Sequence, residues 1–285
     1  MSVVLVTGSS SGFGELTALA FARKGATVYA SMRNCTGASR LVAQAKSEEL
    51  QIQPIALDVT KPQSIEAAVK SILLESGRID VLVNNAGIEC PGPFEDTPEA
   101  DFRRVMETNF FGPYLVTRAV LPAMRDRQAG CIIMVSSLSA LVGLPCSSAY
   151  TASKFALEGA TECLRHEVGR FNIRVALIEP GRFDTPMGDK LAETGPYPSD
   201  SPYKALMDFQ IQKIRDSLGS GDDPNIVAEL IVRVASEEHP SLRNPAGLQA
   251  ERITKTIHSM SDEERAGFVV DVSGTGWWKR GQDES

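Results

Sequence analysis

Residues 2–25 read "SVVLVTGSSSGFGELTALAFARKG". The first part, "SVVLVT", is a short β-branched run closed by Gly8. The last, "GELTALAFARKG", spaces its apolar residues at helical intervals and stops at Gly25. Between them Gly8, Gly12 and Gly14 stand in a G-x3-G-x-G pattern. A strand, a glycine-rich turn and a helix in that order make a phosphate cradle. Glycine permits the tight turn and close backbone approach. The helix N-terminus offers free N–H groups and the positive end of its dipole. A plain tight turn also uses glycine, so the rest of the chain must decide.

Working outward, strand and helix patterns alternate. "ATVYAS" reads as a second strand and "QPIALDV" as a third, with a polar helix between. Pro62 sits where a helix starts, with Thr60 as its N-cap, and that helix ends near Gly77. "IDVLVNNAG" is a fourth strand. Residues 97–128 read as one long helix, with Thr97 as cap and Pro98 at its first position. "CIIMVSS" and "IRVALIEPG" are the fifth and sixth strands, with a helix ending near Gly169 between them. Continuous apolar strands are buried on both faces, which marks a parallel sheet covered by helices. Repeated strand–helix–strand units imply right-handed crossovers. The expected fold is α/β: a Rossmann-type doubly wound parallel β-sheet flanked by helices, in a single domain. Residues 1–240 form its body, including a Pro/Gly/Ser/Asp-rich substrate lid at about 183–222. Helices are expected at 203–218 and 224–236. Residues 241–285 are a C-terminal extension with one short strand near "SLRNPAG", a helix around 246–258 and a frayed tail, "WWKRGQDES".

Composition narrows the function. The formal charge is -7 and no basic run occurs, which argues against nucleic acid and anionic membranes as partners. Five cysteines (35, 90, 131, 146, 163) form no CxxC and mostly sit in apolar runs, so buried free thiols in a reducing compartment are expected. The apolar strand begins at residue 2 with no signal peptide before it, and no apolar stretch is long enough for a membrane span. The expectation is a soluble cytoplasmic protein. His166, His239 and His258 show no ligand spacing, and no metal is expected.

The stretch "SSAYTASKFALEG" (147–159) places Tyr150 and Lys154 one helical turn apart, with only small residues between. Taken alone, such a pair is ordinary helix-surface decoration. Its context is not ordinary. The chain carries "TGSSSGFG" at 7–14, "LDV" at 57–59, "NNAG" at 84–87, "ETNFFG" at 107–112, "VSS" at 135–137, "YTASK" at 150–154 and "EPGRFDT" at 179–185. In this order and spacing they resemble the classical short-chain dehydrogenase/reductase family, nearest its 17β-hydroxysteroid and retinol dehydrogenase-like branch. The resemblance covers most of residues 1–190. It implies Ser137, Tyr150, Lys154 and Asn109 as the catalytic set. It implies Gly8, Ser10, Ser11, Gly12, Gly14, Arg33, Asp58, Val59, Asn85, Ala86, Gly87, Pro180, Gly181 and Thr185, with Tyr150 and Lys154 again, as cofactor contacts. Asn109 is expected to kink its helix and to support a water relay from Lys154.

The chemistry suits these residue types. Hydride transfer to a carbonyl leaves an oxygen that needs a proton, and Tyr150 can supply it. A free phenol titrates near pH ~10. A cation about 4 Å away at an effective dielectric of ~20 contributes roughly 4 kcal/mol, enough to lower that phenol by about 3 units. Lys154 is expected to play this part, while the small residues at 151–153 leave room for a ribose. Ser137, at a strand end, is placed to hydrogen-bond the reacting oxygen.

The second strand ends "VYASMRN". Met32 stands where an acid would bind ribose hydroxyls, and Arg33 follows it. No Asp or Glu occurs from Leu16 to Ser47. An Arg here pairs with a 2′-phosphate, so NADP(H) is the expected cofactor. The expected function is an NADP(H)-dependent oxidoreductase that interconverts an alcohol and a ketone or aldehyde, on an apolar or aromatic substrate. A non-catalytic NADP(H)-sensing protein on the same fold is the alternative. Glu89, Cys90 and Cys146 fall near the substrate mouth, and a Glu89 carboxylate suits a substrate hydroxyl or amine. Apolar residues on more than one face of the helices at 98–128 and 150–169 predict a homodimer or homotetramer.

Overall fold

The computed structural model describes residues 1–193, 197–257 and 259–282, with residues 37–39 described by backbone alone. His258 lies outside the described residues. Seven strands form one sheet: β1 Val3–Val6, β2 Thr27–Met32, β3 Ile52–Ala56, β4 Val81–Asn84, β5 Gly130–Val135, β6 Ile173–Pro180 and β7 Arg243–Ala246. All pairs are parallel, in the order β3-β2-β1-β4-β5-β6-β7. Helices α1 Gly12–Arg23, α2 Ser39–Ser47, α3 Pro62–Ser76, α4 Glu99–Met106, α5 Gly112–Asp126 and α6 Ser148–Val168 fall between the first six strands. Then come α7 Pro186–Ala192, α8 Lys204–Asp216, α9 Asn225–Ser236, α10 Leu248–Ile257, α11 Asp262–Ser273 and α12 Gly276–Lys279.

The alternation of strand side chains builds two cores. Val4, Val6, Val28, Ile133 and Ile178 point to one face and pack with Leu19 of α1 and Ile231 of α9. Leu5, Leu82, Ile132 and Leu177 point to the other and pack with Ile72, Val116 and Leu157 of α3, α5 and α6. The central strands are therefore buried on both sides, as their apolar runs predict. Edge strand β3 is not: Ile52 to Ile55 are half-buried and Ala56 is exposed. Pro54 and Pro245 sit in the two edge strands, where a missing N–H leaves no central ladder broken.

Several local expectations need correction. Lys61, not Thr60, occupies the N-cap of α3, because the Thr60 hydroxyl and amide are turned onto Asp58. Pro98, not Thr97, takes the cap position of α4; the Thr97 hydroxyl donates to the Pro93 carbonyl. The expected single helix at 97–128 is two helices joined by a π-helical turn, Glu107–Phe111. Only Cys131 is a buried thiol; Cys35, Cys90 and Cys146 are half-buried and Cys163 is exposed. The tail is not frayed at its tryptophans. Trp277 meets Phe209 edge-on at 5.6 Å and Trp278 lies 6.2 Å from Tyr203, so the C-terminus holds lid helix α8. Helix α11 was not anticipated, although Ser261 and Glu264 form a full capping box at its start.

Candidate active site

Parallel strands end at one edge of the sheet, and four connections gather there: the glycine loop after β1, "NNAG" after β4, Ser137 after β5 and Pro180–Gly181 after β6. The strand order reverses direction between β1 and β4, which opens a crevice at that edge. Gly8 (φ +70°) and Gly12 (φ +58°) lie in the left-handed region that favours glycine. Gly14 has a different reason to be small. Any Cβ there would fall 2.3 Å from the Gly8 carbonyl oxygen and 2.5 Å from Asn85 Nδ2.

Asn85 and Thr7 lock the two loops together. Asn85 Nδ2 donates to the carbonyls of Thr7 (2.9 Å) and Gly8 (3.2 Å). Thr7 Oγ1 accepts the amides of Asn85 (2.9 Å) and Ala86 (3.1 Å). Thr7 belongs to the glycine motif but was not singled out from the sequence. Ser10 and Ser11 are exposed, and no side chain caps α1. The first-turn N–H groups of α1 thus take no acceptor from the Ser11 side chain. Arg33 is exposed at the end of β2. Arg40, another cation of that region, is instead taken up by the buried Glu15 carboxylate in a two-pronged pair at 2.8 and 2.7 Å. Met32 is only 3% exposed and belongs to the core beneath β2. Asp58 is occupied within its own turn by Thr60. Burial pushes its carboxyl up, but the Thr60 bonds, with Arg33 and Lys61, outweigh this and hold it below its usual value. Val59 is buried against Gly112, where a Cβ would fall 2.9 Å from Val59 Cγ2.

Gly181 donates its amide to Ala246 (3.1 Å), fixing the turn after Pro180. Thr185 occupies the N-cap position of α7 without a side-chain cap bond, and its Cβ would lie 3.9 Å from a Cβ on Gly12. Phe13 and Phe183 pack edge-to-face at 5.4 Å and tie the glycine loop to the start of the lid. Phe183 and Leu206 are buried and Phe209 packs on Trp277, so these lid side chains are engaged by the protein itself. Tyr197 and Ser201 both bond Asp96, and Tyr203 bonds Glu95, which pins the lid to the loop before α4.

The catalytic candidates converge. Asn109 sits in the π-turn and is fully buried. Its Oδ1 accepts the Ile88 amide (2.9 Å), and its Nδ2 donates to the Ile88 carbonyl (2.8 Å) and Ser153 Oγ (3.0 Å). A π-helical turn, Glu107–Phe111, interrupts the α-helical run at Asn109. Ser153 therefore braces Asn109. Gly87 lies at the meeting point: a Cβ there would be 3.5 Å from Asn109 Oδ1 and 3.9 Å from Lys154 Nζ. Lys154 is buried, and its Nζ donates to the Val135 carbonyl at 2.9 Å. Ser137 Oγ accepts the Ser139 amide (3.1 Å), so the residue is also the cap of a short turn.

The electrostatics differ from the expectation drawn from Tyr150 and Lys154 alone. The ammonium is 5.5 Å from the centre of the Tyr150 ring. Burial and the Glu89 carboxylate push the Tyr150 phenol above its ordinary value, and the Ser137 hydroxyl pulls against them. In the cofactor-free protein the balance on this phenol is upward, because burial and Glu89 outweigh the pull of Ser137. Burial lowers Lys154 itself to about 8, against the opposing pull of Glu158 and Glu89. Glu89, expected from sequence at the substrate mouth, also shapes the field at Tyr150. It accepts from Ser147 Oγ at 3.2 Å, and burial raises its carboxyl. Cys90 and Cys146 have thiols raised chiefly by burial, Cys146 to about 11, and neither is poised as a nucleophile.

Comparison with known proteins agrees with this geometry. The short chain dehydrogenase family pattern matches residues 2–195. The chain belongs to that family. It is 35% identical over 248 residues to a 3-ketodihydrosphingosine reductase of Bacteroides thetaiotaomicron, covering 86% of this chain and 87% of that one. It is 36% identical over 250 residues to retinol dehydrogenase 8 of Bos taurus, covering 84% and 80%. A solved short-chain dehydrogenase from Streptomyces avermitilis superposes with a TM-score of 0.80 at 34% identity, covering 98% of this chain and 97% of that one. A metagenomic short-chain oxidoreductase solved with NADP matches at 25% identity and TM-score 0.70, over 87% and 98%. A Burkholderia phymatum protein solved with NAD shares the fold at 22% and 0.77, over 90% and 92%. The family is one of nicotinamide-dependent oxidoreductases. Among the described residues, no helix is long and apolar enough to cross a membrane.

Proposed function

We propose that the protein is an NADP(H)-dependent oxidoreductase that interconverts an alcohol and a ketone or aldehyde, with Tyr150 as its acid/base. The observation that carries this reading is the meeting of Tyr150, Ser137 and Lys154 at the crevice edge, with Asn109 locked behind them. The residues around the crevice fit a dinucleotide. The uncapped N–H groups of α1 suit its pyrophosphate, and the exposed Arg33 suits a 2′-phosphate. Gly8, Ser10, Ser11, Gly12, Gly14, Asp58, Val59, Asn85, Ala86, Gly87, Pro180, Gly181 and Thr185 would line its path. When bound, the cofactor supplies or accepts hydride.

The protein's part is the proton and the orientation. A phenol held neutral by burial and by Glu89 is a donor across the physiological range. In carbonyl reduction Tyr150 gives its proton to the substrate oxygen, and the Ser137 hydroxyl hydrogen-bonds the same atom. In the reverse direction Tyr150 must first lose its proton. Lys154, charged below about 8, stabilises the phenolate that remains after proton donation. Asn109 holds the backbone of Ile88 and, through Ser153, the helix that carries Tyr150. Glu89 suits a substrate that bears a hydroxyl or amine beside an apolar or aromatic body.

The protein works as a homodimer or homotetramer in this reading. Phe111, Tyr114 and Phe155 are large apolar side chains left 41%, 49% and 46% exposed on the π-turn, α5 and α6. Such a patch needs a cover. A panel of ketones and aldehydes with NADPH tests the activity. Tight NADPH binding without turnover of any carbonyl or alcohol would reject it.

A further inference from the structure

Behind the catalytic candidates lies a second cluster of charge that the proton chemistry above does not use. Glu179, in β6, is 0% exposed. As a carboxylate, neither of its oxygens has a hydrogen-bond partner among the described residues. Arg243 Nε, on the edge strand β7, is 3.4 Å from Glu179 Oε1, an ion-pair distance without a hydrogen bond. Arg243 spends its hydrogens elsewhere: Nε on Glu158 Oε2 at 2.9 Å and Nη2 on Glu162 Oε1 at 2.6 Å. The other Glu158 oxygen accepts from Ser136 Oγ at 2.7 Å.

This arrangement joins the active site at two points. Glu158 lies four residues after Lys154, on the same face of α6, and its negative charge opposes the burial that would discharge Lys154. Ser136 precedes Ser137, and Lys154 donates to the neighbouring carbonyl of Val135. Two buried carboxylates side by side cannot both be ionised cheaply. Burial and Glu158 both raise Glu179, against Arg243. A hydrogen on Glu179 would also give it the donor it lacks, with Glu158 as acceptor. The charges then balance: Arg243 and Lys154 against Glu158 and Glu162, with Glu179 neutral.

We propose that Arg243, Glu158 and Glu179 are positioning residues for the reaction: Arg243 fixes the Glu158 carboxylate as the counter-charge of Lys154, and Glu179 stays protonated and donates a hydrogen bond to Glu158. The inference rests on the reading of Lys154 as part of the catalytic set, but its tests do not need turnover. The groups that face Glu179 and Lys154 are Glu158 and Glu162 on α6, Arg243 on β7, and Glu89 and Tyr150 at the crevice.

The test uses the full cofactor-free chain. Infrared spectra at neutral pH should show the carbonyl band of a protonated buried acid, lost in Glu179→Gln. In lysine-labelled protein, the Lys154 signal is identified by its loss in Lys154→Met. Its titration should fall by about one pH unit in Glu158→Gln, and less in Glu158→Asp, which keeps the charge. Absence of the acid band in the wild type would overturn the proposal even where a variant fails to fold. So would a Lys154 titration unmoved in a folded Glu158→Gln. An enzyme that turns over yet shows neither signature refutes the cluster alone. A protein that shows both signatures but turns over no carbonyl or alcohol refutes only the catalytic reading.

Discussion

The carbonyl oxygen of Gly8 lies where a Cβ on Gly14 would have to be, 2.3 Å away. The added Cβ would meet backbone there, not the end of a flexible side chain. The Gly14→Ala variant should therefore lose stability by about 1–3 kcal/mol, because the loop must shift to relieve the overlap. Denaturant unfolding measures it. A variant as stable as the wild type would show that the loop tolerates the displacement.

Cofactor choice should respond to Arg33. It is the exposed cation at the end of β2, whereas Arg40 is committed to Glu15. Wild-type kcat/KM should favour NADPH over NADH by tenfold or more, equivalent to at least ~1.4 kcal/mol. Arg33→Gln should remove most of that preference. Met32→Asp is a poorer probe than the sequence implies: the side chain is buried in the core, so a carboxylate there costs stability before it can meet a phosphate. Equal use of both cofactors by the wild type would reject the assignment.

Lys154 should leave a mark on the stability of the cofactor-free protein. Its folded pKa is lowered from 10.5 to about 8. Below about 8 both states are charged and the burial penalty is present in full. Between about 8 and 10.5 the unfolded chain holds the proton more tightly, so stability rises with pH through that window. Against Lys154→Met, which has no such charge, the wild type should gain up to about 3 kcal/mol across it. Parallel pH profiles of the two proteins would contradict the buried charge.

Subunit association should depend on the exposed aromatic patch. Tyr114→Lys or Phe155→Lys should shift the protein toward monomer in light scattering, with little effect on the cores, since both side chains are about half exposed. A wild type that is monomeric at micromolar concentration would defeat this expectation.

Sequence periodicity revealed the sheet because each central strand is apolar on both faces, a pattern that neither a half-exposed strand nor a surface helix produces. The resemblance to the short-chain dehydrogenase/reductase family is what brought Ser137, Tyr150, Lys154 and Asn109 together as candidates; spacing alone offered only the Tyr150–Lys154 pair. Local hydrogen bonding was less legible. Thr60 and Thr97 are good caps by residue type, yet each found a nearer acceptor in Asp58 and Pro93. The field at Tyr150 was illegible for a different reason: Glu89 and the surrounding burial come from segments distant in sequence. Arg243 and Glu179 also meet only through the pairing of β6 with β7. The Ser261–Glu264 capping box was visible in the sequence and could have revealed α11.

The most direct test of the account is Tyr150→Phe, assayed for turnover with NADPH and a carbonyl substrate alongside NADPH affinity. The variant removes one hydroxyl from the crevice and leaves the ring and Lys154 in place. Turnover should fall by at least about 100-fold, while the NADPH dissociation constant stays within about threefold, ~0.7 kcal/mol. A variant that keeps more than a few per cent of wild-type kcat would show that Tyr150 is not the acid.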